Sequence, residues 1–92
     1  MDRAQMVLAS GEPARLLSLD GDKATVESPI AFPPGATLTC IVSNEGNRLG
    51  DFQVKVNRCR RVGEVFHVDG RLRNAVREVR AALPSLVAGA EG

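Results

Sequence analysis

The segment Thr37-Leu38-Thr39-Cys40-Ile41-Val42-Ser43 carries the clearest strand pattern of this 92-residue chain. Its side chains alternate between two faces, with Leu38, Cys40 and Val42 on one and Thr37, Thr39 and Ile41 on the other. A period of two with many β-branched residues is typical of a strand that buries one face. The turn sequence Asn44-Glu45-Gly46-Asn47 follows, so we expect the chain to reverse there and pair with itself.

The arm after this turn places three apolar side chains on one face, Phe52, Val54 and Val56. The alternation then fails over Arg58-Cys59-Arg60-Arg61, where we expect a bulge or a twist. Gly63-Glu64 has the composition of another turn. Residues 65–72 therefore predict a return strand, whose inward side chains are Phe66 and Val68.

A second hairpin is predicted earlier in the chain, over residues 14–28. Two short apolar-rich segments flank Asp20-Gly21-Asp22, a sequence with strong turn chemistry. Ala24 and Val26 alternate with polar neighbours, as in a strand with one buried face. The stretch that follows predicts a loop, because it contains residues that interrupt a strand ladder, Pro29, Pro33, Pro34 and Gly35.

From Leu72 onward the apolar period becomes that of a helix. Four side chains recur at spacings of four, three and four residues, Leu72, Val76, Val79 and Leu83. We therefore predict a helix over about 72–83 that ends at Pro84, and a flexible tail over 85–92. Several strands and one helix predict a mostly β fold, a small, strongly curved antiparallel sheet or barrel with the helix over one opening.

Length and composition indicate one folded domain, which we place over residues 1–84. A chain of 92 residues with 43% hydrophobic and 25% charged residues has room for a single core. No apolar run approaches the roughly 18 residues of a membrane span, and the N-terminus lacks the pattern of a secretory signal. We therefore expect a cytoplasmic protein. In that compartment Cys40 and Cys59, which lack metal-site spacing, are predicted to be free thiols.

The basic residues concentrate in the second half of the chain, although the formal net charge is only +1. Residues 1–47 hold three basic and six acidic side chains, whereas residues 48–80 hold nine basic and four acidic ones. The densest basic segment contains Arg58, Arg60 and Arg61. It faces phosphate, an acidic partner or merely solvent, and strand alternation predicts Arg61 on the face opposite to the other two.

Chemistry-bearing residues do not form a recognisable catalytic set. His67 has no serine, cysteine or carboxylate pattern around it, and metal sites need three or four ligands. We therefore predict no enzyme activity, no metal and no cofactor. A nucleic-acid-binding β-barrel is the third alternative, and it is disfavoured because the chain has three Phe, no Tyr and no Trp for base stacking.

Four segments in this order resemble a PilZ domain: the hairpin Leu16-Leu17-Ser18-Leu19-Asp20-Gly21, Pro33-Pro34-Gly35 before a strand, the arm 54–62 and the closing helix. The resemblance covers roughly residues 14–83. It implies a six-stranded antiparallel β-barrel with a C-terminal helix. It also implies a bacterial receptor or adaptor in cyclic di-GMP signalling that controls motility, pili or surface polysaccharide.

The family binds its dinucleotide with an N-terminal RxxxR pair and a D/NxSxxG motif on the barrel. In this chain Ser18 and Gly21 match the second motif, while Leu16 stands where the family has a carboxylate or amide. The one RxxxR is Arg73 to Arg77, in the C-terminal segment. Its position implies an ordinary solvated helix face in place of the phosphate clamp.

The sequence therefore predicts a regulatory or adaptor module that acts by protein–protein interaction, with weak or no cyclic di-GMP binding. Its partner is expected among proteins of a bacterial signalling or motility system, and the module itself is expected to be a monomer or a weak homo-oligomer. The alternative is a functional cyclic di-GMP receptor that uses Ser18 and Gly21.

Overall fold

A computed structural model describes residues 4–87 of the chain. Its elements are β1 (Ala4–Leu8), β2 (Arg15–Asp20), β3 (Lys23–Ser28), β4 (Thr37–Asn44), β5 (Asn47–Val62), β6 (Val65–Arg73) and α1 (Arg77–Leu86). All neighbouring strands are antiparallel, in the order β1-β4-β5-β6-β3-β2. The predicted mostly β class, with six antiparallel strands and a C-terminal helix, is confirmed, and the sheet curls into a half-barrel.

The open side of the half-barrel lies between its two edge strands, β1 and β2. An isolated antiparallel bridge between Val7 and Pro13 joins the edges at one end. Helix α1 packs against β1, β2 and β5, and beyond it Val87 forms a parallel bridge with Leu16 of β2. The C-terminal helix therefore covers the opening, as the sequence predicted, whereas β1 itself was not predicted.

The hydrophobic core fills the inner face of the curled sheet. Its largest fully buried side chains come from β1, β2, β4, β5 and α1 and include Leu8, Leu16, Leu38, Phe52 and Leu83. The inward faces predicted by alternation for β3, β4 and residues 52–56 of β5 are correct, because those side chains are at most 2% exposed. Alternation locates this core well because the outward side of these strands is mostly polar.

The turn between β4 and β5 explains why these strands pair as a hairpin. Its two central residues, Glu45 and Gly46, have φ values of 54° and 85°. Positive φ at both positions is the requirement of a type I′ turn, whose twist matches that of the strands it connects. The chain reversal predicted at Asn44-Glu45-Gly46-Asn47 is therefore correct.

A bulge in β5 shifts its pairing with β6. Val56 lies opposite Gly70 and Arg58 lies opposite Asp69, so Asn57 is the extra residue. Gly70 is needed beside this bulge, because a Cβ there would lie 2.3 Å from the backbone oxygen of Lys55. The irregularity predicted from the failed alternation exists and begins just before Arg58.

The predicted start of the helix is wrong. Leu72 belongs to β6, where it pairs with Val54, and β6 ends at Arg73. Asn74 then has a φ of 59°, a left-handed conformation that belongs neither to a strand nor to a right-handed helix. The helix begins at Arg77, and the side chain of Val76 is 52% exposed. The apolar spacing that predicted a helix from residue 72 therefore spans a strand end and a helix.

The predicted end of the helix is also wrong, because Pro84 lies inside α1 and the helix continues to Leu86. Pro84 cannot donate a backbone hydrogen bond to the Arg80 carbonyl, and its ring crowds that carbonyl, yet the helix continues for two more residues. Of the predicted flexible tail, Ser85 and Leu86 are helical and Val87 pairs with β2, while residues 88–92 lie outside the described residues. Within residues 4–87 no helix is long and apolar enough to cross a membrane.

Two valine truncations should separate core from surface. Val54 is fully buried in β5, so Val54→Ala should lower the free energy of unfolding by about 1 to 3 kcal/mol. Val76 precedes the helix and is half exposed, so Val76→Ala should cost less than about 1 kcal/mol. Urea titrations followed by circular dichroism measure both, and equal losses would contradict the exposure of Val76.

Candidate functional site

The outer face of β2, β3, β6 and β5 carries side chains that face one another in rows across the strands. The strand register defines three rows: Arg15–Glu27–His67–Arg60, Ser18–Thr25–Asp69–Arg58 and Asp20–Lys23–Arg71–Lys55. Arg73 extends the same face at the end of β6, opposite Gln53. We call this surface the basic outer face, defined by Arg15, Lys23, Lys55, Arg58, Arg60, Arg71 and Arg73.

Charge on this face is strongly unbalanced. It holds seven of the 12 Lys and Arg residues of the chain. The carboxylates in its three rows are Asp20, Glu27 and Asp69. A chain whose formal net charge is only +1 therefore presents a locally positive surface, which attracts anionic groups.

Lys23, Arg71 and Lys55 lie side by side in one row, and all three are exposed. Cross-strand neighbours have Cβ atoms about 5 Å apart, and like charges directly opposite destabilise a sheet. The Lys55 ammonium donates to the Gly35 carbonyl oxygen at 3.1 Å, a bond that does not neutralise it. Asp20 lies opposite Lys23 at one end of the row, whereas Arg71 has a cation on each side, so the Arg71 end of the row attracts an anionic group.

Arg58 is the cation of the next row, and it forms an ion pair with Asp69. Its Nε lies 3.7 Å from Oδ2 of Asp69, and 70% of its side chain remains exposed. The other carboxylate oxygen of Asp69 accepts a hydrogen bond of 2.6 Å from the Thr25 hydroxyl. Asp69 is therefore held between β3 and β5 and orients Arg58, while most of the guanidinium stays accessible.

The three arginines of the predicted partner surface are divided between two faces. Arg60 lies opposite His67, on the same face as Arg58. Arg61 lies opposite Phe66, whose strand position faces inward, and its Nε donates to the Gly63 carbonyl oxygen at 3.0 Å. The prediction that Arg61 lies on the face opposite to Arg58 and Arg60 agrees with the strand register. Arg58 and Arg60 therefore form part of the basic outer face, and Arg61 does not.

The two residual motif positions, Ser18 and Gly21, do not form a ligand site with Leu16. A register shift at Leu17 leaves Leu16 inward and 1% exposed, while Ser18 is outward and exposed opposite Thr25. Gly21 lies in the β2–β3 turn with a φ of 62°. Because positions 16 and 18 face opposite sides of the sheet, a ligand that contacts Ser18 cannot also contact position 16.

The RxxxR pair, Arg73 and Arg77, was predicted to lie on one helix face, and that prediction is wrong. Arg73 is the last residue of β6 and Arg77 is the first of α1, with the left-handed Asn74 between them. The Asn74 amide donates to Oε1 of Gln53 at 2.7 Å, which holds this connection against β5. Arg73 therefore belongs to the basic outer face and Arg77 to the helix.

Residues with metal-binding or nucleophilic side chains lie apart. Among residues 4–87 no group of three His, Cys, Asp or Glu side chains is placed to hold a metal ion. His67 lies between Glu27 and Arg60 in its row. Cys40 and Cys59 are free thiols, Cys40 buried and Cys59 half-buried. The lysine–arginine row was missed by sequence reasoning, because its members come from three strands whose order the sequence did not reveal.

Comparison of the chain with protein-family models, with curated proteins and with solved structures found no match. The protein is therefore classified by its structure, as a half-barrel of six antiparallel strands with a basic outer face.

The two thiols should differ in reactivity. Burial raises the pKa of Cys40 to about 12, so its thiol stays protonated near pH 8 and is shielded from reagents. A pulse of iodoacetamide should label Cys59 alone in the native protein and both cysteines in denaturant, as read by mass spectrometry. A Cys59→Ser variant provides the control, and its rapid native labelling would contradict the buried position of Cys40.

Proposed function

We propose that this protein is a non-enzymatic regulatory or adaptor module that binds an acidic protein partner through its basic outer face. The observation that carries the proposal is the row of Lys23, Arg71 and Lys55, three exposed cations on adjacent strands. Folding gains nothing from placing like charges opposite one another. A partner with carboxylates offsets the repulsion among these cations, so binding accounts for an arrangement that folding does not favour.

The surrounding cations support the same kind of partner. Arg58 and Arg60 continue the positive surface along β5, and Arg58 is oriented by Asp69. Arginine suits carboxylates because its planar fork donates two parallel hydrogen bonds. Complementary charge of this kind speeds association and selects the partner more than it adds affinity.

The module is further proposed to belong to bacterial cyclic di-GMP signalling as a PilZ-like adaptor that is cytoplasmic and monomeric or weakly self-associating. The support is the order of elements that suggested the resemblance: a hairpin over 15–28, a Pro-Pro-Gly loop, a long hairpin and a closing helix. On this proposal the output is control of motility, pili or surface polysaccharide through the bound protein.

Two alternatives receive less support from the surface. Binding of cyclic di-GMP would have to do without a polar side chain at position 16, because Leu16 is in the core. Nucleic acid would find little to stack on, since Phe52 is fully buried and Phe32 and Phe66 are half-buried. A protein partner needs neither feature.

The basic outer face is tested by a charge-matched pair of variants. Arg58→Ala/Arg60→Ala removes two cations from the face, and Arg48→Ala/Arg77→Ala removes two exposed cations outside it. Both should change the free energy of unfolding by less than about 1 kcal/mol, because exposed charges contribute little to folding. Partners retained from a bacterial extract by the parent and the control should be lost from the first variant.

Quantitative mass spectrometry at two salt concentrations measures that loss. Retention of the same proteins by both variants would contradict the proposal, as would a thermal midpoint for Arg58→Ala/Arg60→Ala far below that of the control. If nuclease treatment removes the retained material, the nucleic-acid alternative replaces the protein partner. The single variant Arg61→Ala should retain the partner, because Arg61 is not on this face.

Calorimetric titration with cyclic di-GMP should show no saturable binding. The structure supports this expectation because positions 16 and 18 face opposite sides of the sheet. A Kd below about 10 μM, equivalent to roughly −7 kcal/mol, would establish the receptor alternative instead. Leu16→Asp should not create binding, and it should destabilise the fold because it buries a carboxylate in the core.

A further inference from the structure

The basic outer face ends in apolar side chains at the tip of the β5–β6 hairpin. Beyond Arg15, Glu27, His67 and Arg60, the next outward positions are Val62 and Val65, which pair with each other across the hairpin. Val62 is 40% exposed and Val65 is half-buried. Pro29 follows Glu27 by two residues and is also exposed, so the apolar edge extends towards β3.

A groove of about 220 Å³ opens beside this edge. It is lined by Pro13, Ala14, Arg15, Glu27, Pro29 and Val65. At roughly 30 Å³ for each water, the volume holds about seven waters, which is room for one large aliphatic side chain. Four of the six lining residues are apolar, while Arg15 and Glu27 contribute one cation and one carboxylate and add the methylenes of their side chains.

Charge next to the groove restricts what it can accept. The adjoining row contains Arg15 and Arg60 against the single carboxylate of Glu27, and Arg58 follows in the next row. An apolar side chain flanked by carboxylates satisfies both features, because the side chain leaves water while its neighbours meet arginine. Arg58 is already paired with Asp69, so Arg15 and Arg60 are the cations that repel a basic segment and that a purely apolar segment would not contact through carboxylates.

We propose that this groove is the specificity pocket of the module, which takes an aliphatic side chain from an acidic peptide segment of its partner. The proposal rests on the proposed function and adds to it the chemistry of the recognised segment. The basic outer face binds the carboxylates, and the groove selects segments that carry an aliphatic residue among them. Charge supplies attraction, and the groove supplies discrimination between acidic segments.

Three peptides and ¹⁵N-resolved NMR titration test the pocket. The probes are acetyl-EELEE-amide, acetyl-EEGEE-amide and acetyl-QQLQQ-amide. The first should bind at least about fivefold more tightly than either of the others, because only it offers both leucine and carboxylates. Its amide shifts should include Ala14, Arg15, Glu27 and Val65, which line the groove.

Matched variants separate the pocket from the charged face. Val62→Thr/Val65→Thr keeps the β-branched shape and should abolish the preference for leucine over glycine. The control Val76→Thr changes an exposed valine before helix α1, 52% exposed and outside the groove lining, and should keep that preference. Arg58→Ala/Arg60→Ala should instead weaken both acidic peptides together.

Each failure has its own signature. Equal binding of the leucine and glycine peptides would overturn the pocket and leave the basic face standing, whereas absence of binding by both acidic peptides would overturn the proposed function as well. Equal binding of the glutamate and glutamine peptides would remove the acidic character of the ligand. Shifts at Val62 and Val65 on raising the protein concentration alone would assign the groove to a second copy of the chain.

Discussion

The close contact between β5 and β6 at Gly70 is the constraint on which the shape of this protein depends. A Cβ at this position would lie 2.3 Å from the backbone oxygen of Lys55 and 2.5 Å from a methyl group of Val54. Glycine alone permits that approach. Together with the bulge at Asn57, it bends the two longest strands, so the sheet curls enough for one helix to cover its open side.

The same bulge decides which chemistry reaches solvent. Val54 and Val56 face the core, and uninterrupted alternation would turn Arg58 and Arg60 inward with them. The extra residue reverses the alternation, so both arginines join the outer face and Cys59 becomes half-buried. One inserted residue thus protects the core from two charges and adds them to the candidate site.

Local sequence patterns predicted the features that depend on residues close in sequence. They did not predict the features that depend on elements distant in sequence. The hairpins and the inner faces of β3 and β4 follow from alternation, which a strand displays by itself. The start of the helix does not follow from local patterns. Leu72 fits the apolar spacing of a helix as well as that of a strand, and the left-handed conformation of Asn74 is what separates the two elements. The row of Lys23, Arg71 and Lys55 needs the strand order, which no local pattern contains.

Strand alternation assigns folding and recognition to opposite faces of one sheet. The inward side chains at the centres of β3, β5 and β6, among them Val26, Val54 and Val68, are apolar and buried, and their packing supplies the stability. The outward cations Lys23, Lys55 and Arg71 are exposed and contribute little to folding, so folding does not require their charges to be arranged as they are. The fold alone does not account for a row of three cations on such a face, and the proposed acidic partner would.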